Sequence, residues 1–327
     1  MSPCSRSAGK LPSKVEQKRS LRNLSKKTVF NFVMDTRKTP ELYLVKAFTE
    51  TEAGGNAAGV MLYADALTPQ QKQQVAASLG LSETAFVSAS EIGDVKVEFF
   101  TPNRQIPHCG HATVAAFSLL LQKGLVQEPS AVKESIEGTR QINLVQGKVY
   151  LAQLPPKYKS LSETTVTTTE VAASLNLPSM HNFLAEPVIA STGISFLLVQ
   201  LQHADKIQAL QPNQESIARL SEKLNVVGYY IFTTASPEAD ATTRMFAPSY
   251  GIPEESATGM AAGPLACHLH DHLGFTKTKY LFHQGYLMQP PSPSQLEVQL
   301  QTDTAGRITG LKAGGAAVIV QQLPLAV

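Results

Sequence analysis

The chain has 327 residues, 43% hydrophobic and 17% charged, long enough to bury more than one core and too apolar for a disordered chain. No apolar run approaches the roughly 20 residues that cross a bilayer. Ten of the 28 Lys/Arg but only two of the 26 Asp/Glu, Glu16 and Asp35, lie in residues 1–40, so the rest of the chain is near −6, which argues against a nucleic-acid surface on the folded part.

Residues 1–40 read as a basic, disordered extension. They lack the apolar stretch of a secretory signal, and residues 1–33 leave mitochondrial targeting as the lesser reading beside a cytoplasmic location. Cys4, Cys109 and Cys267 form no CxxC pair and read as reduced intracellular thiols. From Leu42, LYLVKAF is strand-like and gives way to a Gly-rich turn, EAGGNAAGV. Thr68 and Pro69 supply an N-cap and first-turn proline for the helix PQQKQQVAASLG, closed by Gly80. LSETAFV and VKVEFF follow as strands, then KVYLAQL, FLLVQL, VVGYYIFTT, KYLFHQGYLM, LEVQL and AAVIVQQL. Strands outnumber helices, which predicts an α+β fold with mostly antiparallel sheets.

The most informative feature is an internal repeat. FTPNRQIPHCGHATVAA, from Phe100, aligns without a gap on FAPSYGIPEESATGMAA, from Phe246. A period this long indicates a duplicated domain rather than a solenoid unit. Each copy reads as a strand, a Pro-bearing loop and a helix free of charge, and a helix apolar all round is a buried one. Small residues suit a sheet wrapped around a central helix. Pro264 is expected to kink or restart the second helix. The halves are placed at 41–155 and 156–327, with the C-terminal strand open to returning to the first.

Two buried helix starts, one per half, could seat a carboxylate on unpaired backbone N–H groups, and Gly110, Thr258 and Gly259 let a ligand approach closely. If LSETAFV is a strand, Leu81, Glu83, Ala85 and Val87 share a face, so Glu83 is expected to have a raised pKa suited to acid–base work. Glu98, alternating with Val97 and Phe99, is expected to be solvated. His111 follows Cys109 and Gly110 at a helix start, where the dipole is expected to disfavour the imidazolium and lower the thiol pKa. In the ungapped repeat Glu255 occupies the place of Cys109. His108, Cys109 and His111 form one possible ligand cluster, and His268, His270 and His272 another, but neither has zinc-site spacing, so no metal is expected. No GxGxxG, Walker A or GxSxG string is present, so no nucleotide cofactor is expected.

The strings GGNAAGV (54–60), LGLSETAFV (79–87), FFTPNRQIPHCGHAT (99–113), TRMFAPSYGIPEESATGMAAGPLACHL (243–269), HQG (283–285) and GGAAVIV (314–320) resemble the PhzF-like, or phenazine biosynthesis-like, isomerase family, which shares the diaminopimelate epimerase fold. The resemblance implies two pseudo-symmetric domains, each a barrel-like sheet around a central helix, and a homodimer without cofactor. It implies that Glu83 shuttles a proton between carbon atoms of a small carboxylic acid, as in trans-2,3-dihydro-3-hydroxyanthranilate isomerase, with His111 and Glu255 catalytic beside it. Asn56, Cys109, Gly110, Thr258, Gly259 and Met260 then line the substrate site. Departures fall at Ala57, Gln105, Glu255, Met260 and the QGYLMQPPS run. They keep two alternatives open: a two-base epimerase or racemase, and a non-catalytic binding or regulatory protein on the same scaffold.

Overall fold

The computed structural model describes residues 34–179 and 182–325, so the expectations for residues 1–33, including targeting and Cys4, lie outside it. Residues Val33–Val327 form one compact unit. Met34, within the stretch read as an extension, is buried in the main core. Strands Glu41–Ala47 and Asn56–Leu62 pair antiparallel. The second of these corrects the reading of that stretch as turn alone: the turn ends at Gly55, whose φ of +86° suits glycine, and NAAGVML is an inward-packed strand. Helix Pro69–Leu79 starts and ends as its sequence predicts. Thr68 and Gln71 make a reciprocal capping box, and Gly80 closes the helix at φ +63°.

The pairing repeats itself. Asn56–Leu62 runs parallel to Thr84–Ser88, which pairs antiparallel with Val95–Phe100. That strand runs parallel to Ser130–Ser135, and Gly138–Val145 and Lys148–Gln153 follow antiparallel. The second half begins with Lys157–Ser160, Val188–Ser191 and Ser195–Gln200, all antiparallel, and Tyr229–Thr233 then runs parallel to the last of these. Ala241–Ala247 is antiparallel to Tyr229–Thr233 and parallel to Lys279–Gln284, after which Ser294–Thr302 and Ile308–Gly315 are antiparallel. The succession of senses is the same in both halves once the C-terminal strand is counted with the first. Ala317–Leu323 does return there, pairing antiparallel with Glu41–Ala47 in the place that Lys157–Ser160 takes in the second half.

Each half wraps a buried helix. Gly110–Gln122 buries every residue from His111 to Leu120, and Gly259–His272 buries Ala261 to Cys267 and Leu269. The uncharged, small-residue composition of both is what lets strands close on them from all sides. Gly259–His272 is one uninterrupted helix, so Pro264 does not restart it. Glu98 is not solvated either: its carboxylate pairs with Lys72 beneath helix Pro69–Leu79, and Gln105 donates to it at 3.5 Å.

The halves are joined where Ile308–Gly315 pairs with Lys148–Gln153, Gly314 opposite Tyr150. A Cβ added to Gly314 would lie 1.9 Å from the Val149 carbonyl oxygen. Gly314→Ala is therefore expected to destabilise the protein by about 1–3 kcal/mol, read as a lower midpoint in urea with an unchanged m-value.

Candidate active site

Glu83 does not lie on an alternating strand face. The strand begins one residue later, at Thr84, and all five of its residues are buried. Glu83 sits at the strand's entry, where its carbonyl accepts from the Gly59 amide at 3.2 Å. Gly59 fits closely there: a Cβ would meet the Leu79 and Thr84 side chains at 2.9 Å, so those side chains would have to shift.

Cys109 is the N-cap of the first core helix, so His111 occupies its first turn with the ring almost wholly buried. That ring bridges two carboxylates, with Nε2 3.2 Å from Glu83 Oε2 and Nδ1 3.6 Å from Glu255 Oε1. Cys109 Sγ lies 3.6 Å from Nδ1 and Ser82 Oγ 3.5 Å from Nε2. The contact with Glu83 is an ion pair rather than an aligned hydrogen bond, and Glu83 Oε2 is buried with no hydrogen-bond partner among the described residues.

This geometry reverses three expectations. Burial pushes the Glu83 carboxyl up, but His111, through contact and charge, with Ser82 and Cys109, outweighs it and holds the group below the usual carboxylate value. Burial works against the His111 imidazolium too, yet Cys109, Glu255 and Glu83 raise it well above the ordinary histidine range. The helix dipole is a partial charge, and the contacts with Cys109, Glu255 and Glu83 outweigh it. The Cys109 thiol is raised by burial, which exceeds the lowering by His111. Carboxylate and imidazolium thus face each other at neutral pH.

Glu255 is pinned. Asn56 Nδ2 donates to Oε1 at 3.1 Å and Thr258 Oγ1 to Oε2 at 2.6 Å. Asn56 also donates to the Ala257 carbonyl at 3.1 Å, tying the first half to the second. Gln284 completes the frame: its Nε2 donates to the Glu255 carbonyl at 2.7 Å and to Thr258 Oγ1 at 3.0 Å, and its Oε1 accepts from the Thr258 amide at 3.1 Å and the Tyr230 hydroxyl at 3.0 Å. Ser82, Gln284 and Tyr230 were not among the sequence candidates. Gln284 lay within the HQG string, but nothing local to that string connects it to residue 255.

The repeat is also corrected at this point. An offset of 146 carries strand Val95–Phe100 onto Ala241–Ala247, but the second helix is capped by Thr258, not Glu255. Thr258 is therefore the counterpart of Cys109, Gly259 of Gly110 and Met260 of His111. Glu255 ends strand Ile252–Glu255 and pairs with Met245 as Ile106 pairs with Phe99, so the three extra residues fall before it, in the loop that follows Ala241–Ala247. The two helix starts face each other, since a Cβ on Gly110 would lie 3.8 Å from Met260 Cγ, and one on Gly259 3.2 Å from Phe48 Cζ.

All nine sequence candidates thus converge on one place. His108 does not join them; its ring approaches Glu137 at 4.0 Å instead. Among the described residues the group with metal-ligand character is Glu83, Cys109 and His111, whose donor atoms lie within 4.8 Å of one another. His268 and His272 do share a helix face, with ring centroids 5.2 Å apart. No helix among the described residues is long and apolar enough to cross a membrane.

Comparison with known proteins gives the same picture. The chain is 32% identical over 289 residues to an uncharacterised isomerase of Deinococcus radiodurans, covering 85% of this chain and 92% of that one. It is 32% identical over 238 residues to the uncharacterised isomerase YddE of Salmonella typhimurium, covering 71% and 80%. The crystal structure of a Bacillus anthracis phenazine biosynthesis protein of the PhzF family superposes with a TM-score of 0.77 at 25% identity, over 89% of this chain and all of that one. The fold alone is shared with a probable proline racemase from Agrobacterium radiobacter, TM-score 0.54 at 16% identity, over 88% and 93%. These relatives support isomerase-type chemistry. The family model for phenazine biosynthesis-like proteins matches residues 45–322, and the chain belongs to that family.

Proposed function

We propose that the protein is a cofactor-independent isomerase that moves a proton between carbon atoms of a small carboxylic acid, with Glu83 as the shuttling base. The observation that carries this reading is the buried, unpartnered Glu83 oxygen held as a carboxylate by an imidazolium 3.2 Å away. A base kept ionised in a site shielded from water is ready to take a proton from an activated carbon. The electron pair left behind moves into the adjacent unsaturated acid system, whose developing negative charge falls to His111 and the backbone N–H groups at the two helix starts. The protonated Glu83 then returns the same proton to a second carbon, so the product is an isomer and no co-reactant is consumed. Glu255, held by Asn56 and Thr258, orients His111.

The fold shared with proline racemase favours a second reading, a two-base epimerase. Against it, both Glu255 oxygens already accept hydrogen bonds, and the counterpart of Cys109 is a threonine. The test is proton exchange followed by NMR in deuterium oxide across a set of small unsaturated carboxylic acids. The expected result is isomerisation with deuterium entering one face only. Deuterium entering both faces of one carbon supports the epimerase, and a set in which no acid exchanges or binds overturns the enzymatic reading.

A further inference from the structure

Behind the first core helix lies a lysine that no carboxylate neutralises. Strand Ser130–Ser135 turns Ala131, Lys133 and Ser135 inward, and Lys133 is 0% exposed. Its Nζ lies 3.5 Å from Thr113 Oγ1 and 5.0 Å from the centroid of the Phe99 ring. The Thr113 hydroxyl in turn donates at 2.6 Å to the carbonyl of Cys109, the cap of the helix that carries His111. No carboxylate among the described residues stands within 4.0 Å of Nζ. Glu137, the acid acting on it, is already held by Arg140 at 2.9 Å, and Arg140 itself sits directly opposite Lys133 across the strand pair. His108, whose Nδ1 is buried without a partner, feels the same two cations.

A buried amine in these surroundings is a poor structural choice. Burial, then Arg140, draw its pKa down to about 8 against the pull of Glu137 and Cys109, which still leaves it charged at neutral pH. An apolar side chain of the same length would fill the space without that penalty. The charge also stands behind a helix start, whose own partial charge is positive. Two positive ends therefore converge with no anion between them. In front of them the Glu83 and Glu255 carboxyl groups flank the His111 ring, and an incoming substrate carboxylate has to settle beside them.

The geometry points to Lys133 as a positioning residue for substrate. Acting through Thr113 on the cap of the first core helix, it fixes that helix start and adds positive charge behind it, so that an anionic carboxylate is held there in preference to its amide or ester. This rests on the reading of the site given above and adds what that reading leaves out, the source of selectivity for charge.

The test measures binding by calorimetry for wild type, Lys133→Met and Thr113→Val, with benzoate, 2-aminobenzoate, malonate and pyroglutamate, each beside its amide. In Lys133→Met the expected result is a melting temperature equal to or above wild type, a Kd for the bound carboxylate about tenfold weaker, and amide binding unchanged. With turnover in hand, KM rises while kcat changes less. Equal weakening of acid and amide, or wild-type affinity for the acid, overturns the proposal. Thr113→Val keeps the ammonium and cuts its link to the Cys109 carbonyl; full acid affinity there overturns the route through Thr113. Should Lys133→Met fail to fold, Lys133→Gln carries the same acid-to-amide comparison. A wild type that binds none of these acids instead sinks the carboxylate reading of the site itself, a failure distinguishable from wild-type binding retained by the lysine variants.

Discussion

Glu83→Gln is expected to abolish proton transfer, with turnover falling by about 10²–10⁴-fold, the range that a positioned acid–base group supplies. Glutamine has the same shape and retains the Gly59 backbone contact, so the fold and its melting behaviour should survive. Its amide cannot accept a proton at neutral pH. The readout is loss of deuterium exchange into substrate with binding of the acid retained or modestly improved, since one negative charge has left the site. Full activity in this variant would sink the assignment of Glu83 as the base.

His111→Gln is expected to act on both pH dependence and stability. His111 is what keeps the buried Glu83 carboxyl below its ordinary value; without it burial dominates and the pKa of Glu83 rises. The acid limb of the rate profile should therefore move to higher pH. The sign on stability follows from the two shifts. The lowered Glu83 contributes stability above the usual carboxylate range and loses it as pH falls through the folded value. The raised His111 contributes below the usual histidine range and loses it as pH rises through its folded value. The difference between wild type and variant is thus greatest in the window between them, at about 3–5 kcal/mol for a buried ion pair deprived of one partner. Urea unfolding at several pH values measures it, and a difference independent of pH would refute the ion pair.

Much of the molecule was legible in particular strings. The FxPxxxIP repeat announced the duplication, and the uncharged runs after Gly110 and Gly259 announced two buried helices, because composition alone decides whether a helix can be covered on every side. Thr68, Pro69 and Gly80 marked their helix because caps are built from neighbours in sequence. Strands such as Gly138–Val145 and Ile308–Gly315, rich in polar residues and glycine, were missed; what makes them strands is their cross-strand partners, which no local pattern reveals.

The sequence by itself determined that Glu83, His111 and Glu255 belong to one site, since the strings that carry them resemble one family in one order. Only the tertiary structure decided their states. Glu83 carried a reasonable expectation of a raised pKa while it was considered with its strand neighbours alone. The fold brings residue 111 against it and residues 109 and 255 beside that imidazole, with residues 56 and 258 holding 255 in place, and at 3–4 Å in a buried setting these contacts exceed the burial penalty on both groups. The equivalence of Thr258 with Cys109 was hidden for a related reason. An ungapped alignment cannot show a three-residue insertion, whereas the first turn of each helix, with its unpaired backbone N–H groups, marks the true counterparts in space.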